Sequence, residues 1–209
     1  MKIAIIGAGN VGGTLAARWA ELGHEVTLGV RSLPDAKADA LARACEGSVE
    51  VATVQDAAAG SAVILLSVPW GAAQAAVESL GDLGSKVLID CTNPWVWGEG
   101  LKLGFETSGA EQIASWAKGG RVTKALNQTG FENMADPVFA GRKAVMFVAG
   151  DDADARATTT ALVSELGFEA IEVGELTSAR LLEPHAVLWI ELVTKHGQER
   201  GFAWGLLRR

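Results

Sequence analysis

The stretch Ile3-Ala4-Ile5-Ile6-Gly7-Ala8-Gly9-Asn10-Val11-Gly12 joins a short apolar run to a glycine-rich turn. A helical pattern follows, with Leu15, Trp19 and Leu22 on one face, and Gly23 stops it. Val26-Thr27-Leu28-Gly29-Val30 then reads as a second strand. Strand, glycine turn, helix and strand in this order form the βαβ unit that holds a dinucleotide. Gly7 permits a sharp turn off the strand. Gly9 leaves no side chain in the path of a pyrophosphate, and Gly12 lets the helix pack closely on the strand. The free N–H groups and dipole of the helix start favour negative charge. Gly7, Ala8, Gly9, Asn10, Val11 and Gly12 are therefore the candidate pyrophosphate site. The competing reading is a tight turn with no ligand.

The end of the second strand selects between dinucleotides. An acid there would bind a ribose 2′-hydroxyl. Instead the chain reads Gly29-Val30-Arg31-Ser32, with Lys37 close by and Asp35 as the first acid. Arg31, Ser32 and Lys37 suit a 2′-phosphate, which an arginine binds through a fork of donors. The expected cofactor is NADP(H) rather than NAD(H); the bland alternative is two ordinary surface charges.

The 209 residues, 49% hydrophobic and 21% charged, suffice for one α/β domain with a good core. A net charge of −7 with no basic run argues against a nucleic-acid partner. The apolar stretches are too short to span a bilayer, so no membrane partner is expected and the expected compartment is the cytoplasm. Cys45 and Cys91 lack CxxC or metal-ligand spacing, and His24, His185 and His196 are scattered, so no metal site is expected. Tyrosine is absent, which removes the Tyr–Lys acid/base pair used by one large class of NADP-dependent reductases.

The rest of the chain alternates strands and helices. A helix from Pro34 to Cys45 is expected to turn Ala36, Ala40, Leu41 and Ala44 to the sheet. Val49–Thr53 alternates like a strand, and Gln55–Ala59 is a helical turn. Ala62–Val68 and Lys86–Cys91 are continuous apolar runs, as in parallel strands buried on both faces. Between them Gly71–Leu80 is helical. A long loop is expected from Trp95 to Thr107. Ser108 with Glu111 forms a capping box for a helix to Lys118. Arg121–Leu126, Lys143–Gly150 and Phe168–Val173 are strands. Asp151 or Asp152 caps a helix that ends at Gly167. From Thr177 the chain is helical, with Pro184 opening or kinking the main helix. Ala186–Val193 is apolar nearly all round, hence buried, and Gly201–Arg209 makes a short helical tail. The fold class is α/β: a Rossmann, doubly wound, mainly parallel sheet with a short C-terminal helical segment. The expected division is residues 1–175 as the NADP-binding domain and 176–209 as a helical segment that covers the cleft or forms a dimer interface.

Ligands of such sheets bind at the carboxyl ends of the strands. Ser67, Val68, Pro69 and Trp70, then Asn93 and Pro94 after Thr92, then Asn127 before Gln128 and Thr129, are therefore the further site candidates. They could line a nicotinamide and a flat second ligand, or simply end their strands. No catalytic acid or base stands out: Asp90 is isolated in sequence, and His185, after Pro184, could reach a cleft but is more simply a packed or exposed histidine; neither makes a Ser–His–Asp or Cys–His set. Hydride transfer between two cofactors held face to face tolerates that, because it works by proximity and orientation.

These residues resemble a known family. Met-Lys-Ile-Ala-Ile-Ile-Gly-Ala-Gly-Asn-Val-Gly-Gly at the start, Leu-Gly-His-Glu-Val-Thr-Leu-Gly-Val-Arg-Ser, Leu-Leu-Ser-Val-Pro-Trp, Ile-Asp-Cys-Thr-Asn-Pro, Lys-Ala-Leu-Asn-Gln and Leu-Leu-Glu-Pro-His-Ala-Val-Leu-Trp-Ile look like the NADPH-dependent coenzyme F420 oxidoreductases. The reductase domain of the STEAP metalloreductases is similar too. The resemblance implies a Rossmann domain with a small C-terminal part over the cleft, often in a homodimer. It implies hydride transfer between NADPH and F420, or a flavin in the STEAP case. It places Gly7 to Gly12 at the pyrophosphate and Arg31, Ser32 and Lys37 at the 2′-phosphate. Ser67, Val68 and Pro69 would lie against ribose and nicotinamide, with Asn93 and Pro94 nearby. The loop that carries Trp95 and Trp97 falls outside the matched motifs, and it could stack on a flat second ligand or pack down as a lid. The alternatives are an NADPH-dependent reductase of a small metabolite and a non-catalytic NADP(H)-binding redox sensor.

Overall fold

The computed structural model describes all 209 residues. The first apolar run forms β1 (Lys2–Ile6), and the glycine turn leads into α1 (Asn10–Glu21). There follow β2 (Glu25–Val30), α2 (Ala36–Ala44), β3 (Val49–Thr53), α3 (Val54–Gly60), β4 (Val63–Leu66), α4 (Trp70–Ser79) and β5 (Val87–Asp90). The second half has a hairpin of β6 (Trp95–Val96) and β7 (Gly100–Leu101), then α5 (Gly109–Trp116), β8 (Arg121–Lys124) and α6 (Phe131–Ala135). A second hairpin, β9 (Val138–Phe139) and β10 (Arg142–Lys143), precedes β11 (Val145–Gly150), α7 (Ala153–Glu165) and β12 (Glu169–Glu172). A 3-10 turn at Leu176–Ser178 runs into α8 (Ala179–Thr194).

Eight strands make one sheet in the order β12-β11-β8-β5-β4-β1-β2-β3. The run from β3 to β8 is parallel; β11 meets β8 antiparallel, and β12 is parallel to β11. The order reverses at β1, whose neighbours β2 and β4 lie on opposite sides, so a crevice opens beyond the carboxyl ends of β1 and β4. Residues Ile3–Ile6 of β1 and all of β4 are apolar because both faces are covered. Ile3 and Ile5 point into a core with α1, α2 and α7, while Ala4 and Ile6 point into a core with α3, α4 and α5. Trp19 anchors the first core, fully buried. Truncating a tryptophan so placed costs about 3–5 kcal/mol.

Several expectations change on contact with the structure. Leu22 is the C-cap of α1 and stands exposed, because the helix ends one residue before it. Helix α2 begins after Pro34, with Asp35 as N-cap; it buries Ala38, and Leu41 packs half-buried on the core as expected, with Ala42 beside it, whereas Ala36, Ala40 and Ala44 are exposed. The segment from Trp95 contains the β6–β7 hairpin, and α5 ends at Trp116. Helix α8 runs through Pro184 without a break and buries one side only, since Leu188 is exposed. The tail beyond Lys195 is not helical. It lies extended because Asn133 Nδ2 and Trp189 Nε1 donate to Phe202 O and Val145 N donates to Trp204 O. No helix is long and apolar enough to cross a membrane.

Candidate functional site

The glycine turn is built by contacts that exclude side chains at two positions. Gly7 has φ +113°, and a Cβ there would fall 2.6 Å from Ser67 O. A Cβ on Gly12 would fall 1.9 Å from Gly7 O and 2.6 Å from Ser67 Oγ. Gly9 is different. Its backbone is ordinary extended chain, with φ −77° and ψ −172°, and an added Cβ would meet nothing within 4 Å. The fold itself does not need glycine there, and the bare backbone leaves the turn open to close approach by a ligand. Gly9 is also the N-cap of α1, where no side chain satisfies the first N–H groups.

These residues wall a cleft of about 840 Å³ that runs across the ends of β1, β2, β3 and β4. Gly7, Ala8 and Gly9 meet Ser67, Val68 and Pro69 at one side, and Arg31 and Lys37 stand at the other. The side chains of Arg31 and Lys37 form no hydrogen bond or ion pair and are exposed. Asp35, the acid nearest to them, is already engaged: its Oδ1 accepts from Lys37 N and Ala38 N, both at 3.0 Å, and so caps α2. The cleft therefore offers two uncommitted cations with the adjacent carboxylate turned to a helix end, which suits an added anionic group. Its far wall comes from Thr53, Val54 and Gln55 at the β3–α3 junction and from the alanine face of α4. Sequence reading passed over these wall residues because small or apolar side chains carry no chemical signature.

The other sequence candidates are placed elsewhere. Ser32 is exposed at the turn after β2 and is not part of the cleft wall. Asn10, Val11 and Gly12 lie in the first turn of α1, behind Gly9. Ser67 Oγ lies 3.1 Å from both Ile6 O and Gly7 O and donates its one proton to them, tying the glycine turn to β4. The Trp70 ring packs on Trp116, with centroids 5.8 Å apart, and lies outside the cleft lining.

Asn93, Pro94 and Asn127 form a second polar ledge where β5 and β8 end. Asn93 Nδ2 donates to Asn127 O at 2.9 Å, and Asn127 Nδ2 donates to Asn93 Oδ1 at 3.0 Å and to Leu182 O of α8 at 3.3 Å. Gln128 Nε2 donates to Asn127 Oδ1 and to Phe147 O. Pro94 is buried beside them and its carbonyl anchors the β6–β7 hairpin through Lys102 N.

Beneath the ledge lies a cluster that sequence reading missed. Lys124, at the end of β8, is fully buried between Asp90 Oδ2 and Glu183 Oε1, each at 2.8 Å. It also donates to Thr92 O at 2.5 Å. Asp90 is thus not isolated. Burial works against charge on Lys124, but the carboxylates of Asp90 and Glu183 outweigh it and hold its pKa above the usual lysine value. The available signal was a charge set inside each of two apolar strands. Removing one member of such a cluster costs about 3–5 kcal/mol.

Neither remaining titratable candidate is an acid or base of the cleft. Burial, with Asp90 close by, pushes the Cys91 thiol far above its ordinary range, and its Sγ donates to Leu66 O. His185 sits in an aromatic group with Phe147 and Trp204, at 6.0 and 5.0 Å between centroids. Burial lowers its pKa, so the ring is neutral near pH 7. The arrangement can bind and orient ligands; it presents no nucleophile and no metal cluster.

A parallel sheet with a glycine turn at its switch point and a long cleft across it defines a Rossmann-type dinucleotide-binding protein. Residues 2–94 match the family model described as "NADP oxidoreductase coenzyme F420-dependent". An F420-dependent NADP reductase from Methanothermobacter thermautotrophicus is 35% identical over 92% of this chain and 89% of that protein. A crystal structure from Arthrobacter sp. FB24, named only provisionally as an F420-dependent NADP-reductase, superposes with TM-score 0.89 at 32% identity and full coverage of both chains. The metalloreductase STEAP3 of Rattus norvegicus is 29% identical over 87% of this chain, which spans 36% of that protein. The chain belongs to the F420-dependent NADP oxidoreductase family, a family of NADP-dependent oxidoreductases.

Proposed function

We propose that this protein transfers a hydride between NADP(H) and a deazaflavin, F420, or a flavin acceptor. The observation that carries the cofactor assignment is the β2 end of the cleft. Arg31 and Lys37 are uncommitted there, and Asp35, which also lines the cleft, has its Oδ1 held by the α2 N–H groups, so a 2′-phosphate meets two cations beside a carboxylate partly offset by a helix N-terminus. The bare Gly9 and the start of α1 hold the pyrophosphate, with Gly7, Ala8, Asn10, Val11 and Gly12 shaping its approach. Ser67, Val68 and Pro69 position the ribose and nicotinamide. Asn93, Pro94 and Asn127 shape the acceptor side.

NADP(H) supplies the hydride chemistry. The residues bind, orient and exclude water. The hydride itself needs no protein proton donor, and the one proton that completes the reduced acceptor comes from water. We place residues 176–209 as a cover over the acceptor side and as the face of a homodimer, which would hide Leu181 and Leu188 on the outer side of α8. A monomeric mass by light scattering at micromolar concentration would remove the dimer from this reading.

The function is tested by anaerobic mixing with NADPH and, separately, oxidised F420, FMN and FAD, following acceptor absorbance. F420 alone should bleach rapidly. Reduction of FMN or FAD alone would move the reading to flavin reduction. No turnover, with tight NADPH binding, would leave a metabolite reductase or a redox sensor.

A further inference from the structure

We infer that Glu183 is a positioning residue that sets the acceptor side of the site by fastening α8 to the ends of β5 and β8. This rests on the function proposed above. The Glu183 carboxylate is fully buried. Its Oε2 accepts from Gly109 N at 2.8 Å, and its Oε1 accepts from Ala110 N at 3.0 Å and faces Lys124 Nζ at 2.8 Å. The two amides are the first of α5, and the α5 N-cap, Ser108, accepts only from Glu111 N. Without Glu183 both would be buried donors with no partner, a costly condition. Lys124 carries the link onward to Asp90 and Thr92 O, and Asp90 Oδ1 accepts from Thr92 N at 2.8 Å. One buried cluster therefore joins β5, α5, β8 and α8.

The residue beside Glu183 touches the ledge directly, because Leu182 O accepts from Asn127 Nδ2. For the Asp90–Lys124–Glu183 ion cluster alone, well-packed apolar side chains would stabilise about as much, and the α5 amides are what such a replacement would leave without partners. What the cluster adds is direction: each bond has one geometry, and α8 can sit in one place. That place bears on half of the dinucleotide cleft. The adenosine half crosses β1, β2 and β3, where Arg31, Lys37 and Thr53 stand. The nicotinamide half, and any acceptor against it, lies toward β4, β5 and β8. A loosened α8 should disturb the second half and leave the first unchanged.

The test is Glu183→Gln, which keeps the shape but removes the charge and one acceptor. Four quantities are compared with the wild type: the Kd for NADPH by fluorescence titration, the KM and the kcat for the acceptor, and amide hydrogen exchange. We expect the acceptor KM to rise at least tenfold with the NADPH Kd unchanged within twofold. Exchange should quicken at Gly109, Ala110 and residues 182–186, and not at Gly7–Gly12. Glu183→Asp, which retains the charge on a shorter arm, should lie between, and it carries the same test if Glu183→Gln does not fold. Parallel loss of NADPH and acceptor binding, or no change in either, would overturn the inference. If the wild type reduces none of F420, FMN and FAD, the proposed function fails. The clamp then stands or falls on exchange: a rise confined to α5, α8 and the ledge upholds it, and a rise across the whole sheet overturns it.

Discussion

Gly9→Ala and Gly12→Ala should both impair cofactor binding, for different physical reasons that can be separated. At Gly12 the added methyl would sit 1.9 Å from a backbone oxygen and 2.6 Å from Ser67 Oγ, so the turn and β4 must move apart. Clashes this deep with backbone belong to the exceptional tail of single substitutions, about 4 kcal/mol or more. At Gly9 the methyl meets no protein atom within 4 Å and the φ of −77° is ordinary for alanine. The stability cost should be that of a weaker N-cap, about 0.5–1 kcal/mol. The ligand, however, would lose its close approach to the helix start. Each charge-assisted contact is worth about 1.5–3 kcal/mol, so two lost contacts give about 3–6 kcal/mol, or roughly a hundred- to ten-thousand-fold in Kd. Thermal melting and NADPH fluorescence titration read the two effects independently. Gly9→Ala should melt close to the wild type and bind NADPH weakly, whereas Gly12→Ala should melt far lower. A Gly9→Ala protein that binds NADPH normally would refute the claim that Gly9 is bare for the ligand's sake.

Arg31→Ala should weaken NADPH binding by about 1.5–3 kcal/mol and leave NADH binding unchanged, because only NADPH carries the 2′-phosphate; an equal loss for both would refute the assignment. His185 should make the fold sensitive to acid. Burial holds its folded pKa below the unfolded value of about 6.5, so the unfolded chain takes up the proton first as pH falls. Its contribution to stability is present above that pH and is lost below it. The melting temperature of His185→Leu should therefore fall less between pH 7.5 and 5.5 than that of the wild type; identical slopes would show that the ring is not the cause.

The parts of the fold that were legible in the chain are those with strong, redundant signals. The runs Ile3–Ile6 and Val63–Leu66 are apolar at every position because the sheet is covered on both faces, and the glycine spacing names the turn. The α2 face was misread because alanines at helical spacing carry little hydrophobic weight, while Leu41 with Ala38 and Ala42 decides the packing. The tail from Gly201 has the apolar spacing of a helix, but its carbonyls are taken by Asn133, Val145 and Trp189, which local sequence cannot reveal. Among the site candidates, Arg31 and Lys37 were legible as charges at a strand end. Asn93 and Asn127 were legible as strand-end polar residues, though not as partners of each other. The Asp90–Lys124–Glu183 cluster showed only as a charge inside each of two apolar strands, and its pairing was hidden because its members lie on three separate elements.

The central claim is direct hydride passage between two bound cofactors. The most direct measurement uses NADPH labelled with deuterium on the transferred face, mixed anaerobically with the protein and F420, with mass spectrometry of the reduced acceptor. The account predicts carbon-bound deuterium in the reduced deazaflavin, with none at carbon from deuterated solvent when unlabelled NADPH is used and the N–H and O–H positions are back-exchanged in ordinary water. Label appearing in water, or no reduction of F420 at all, would contradict it.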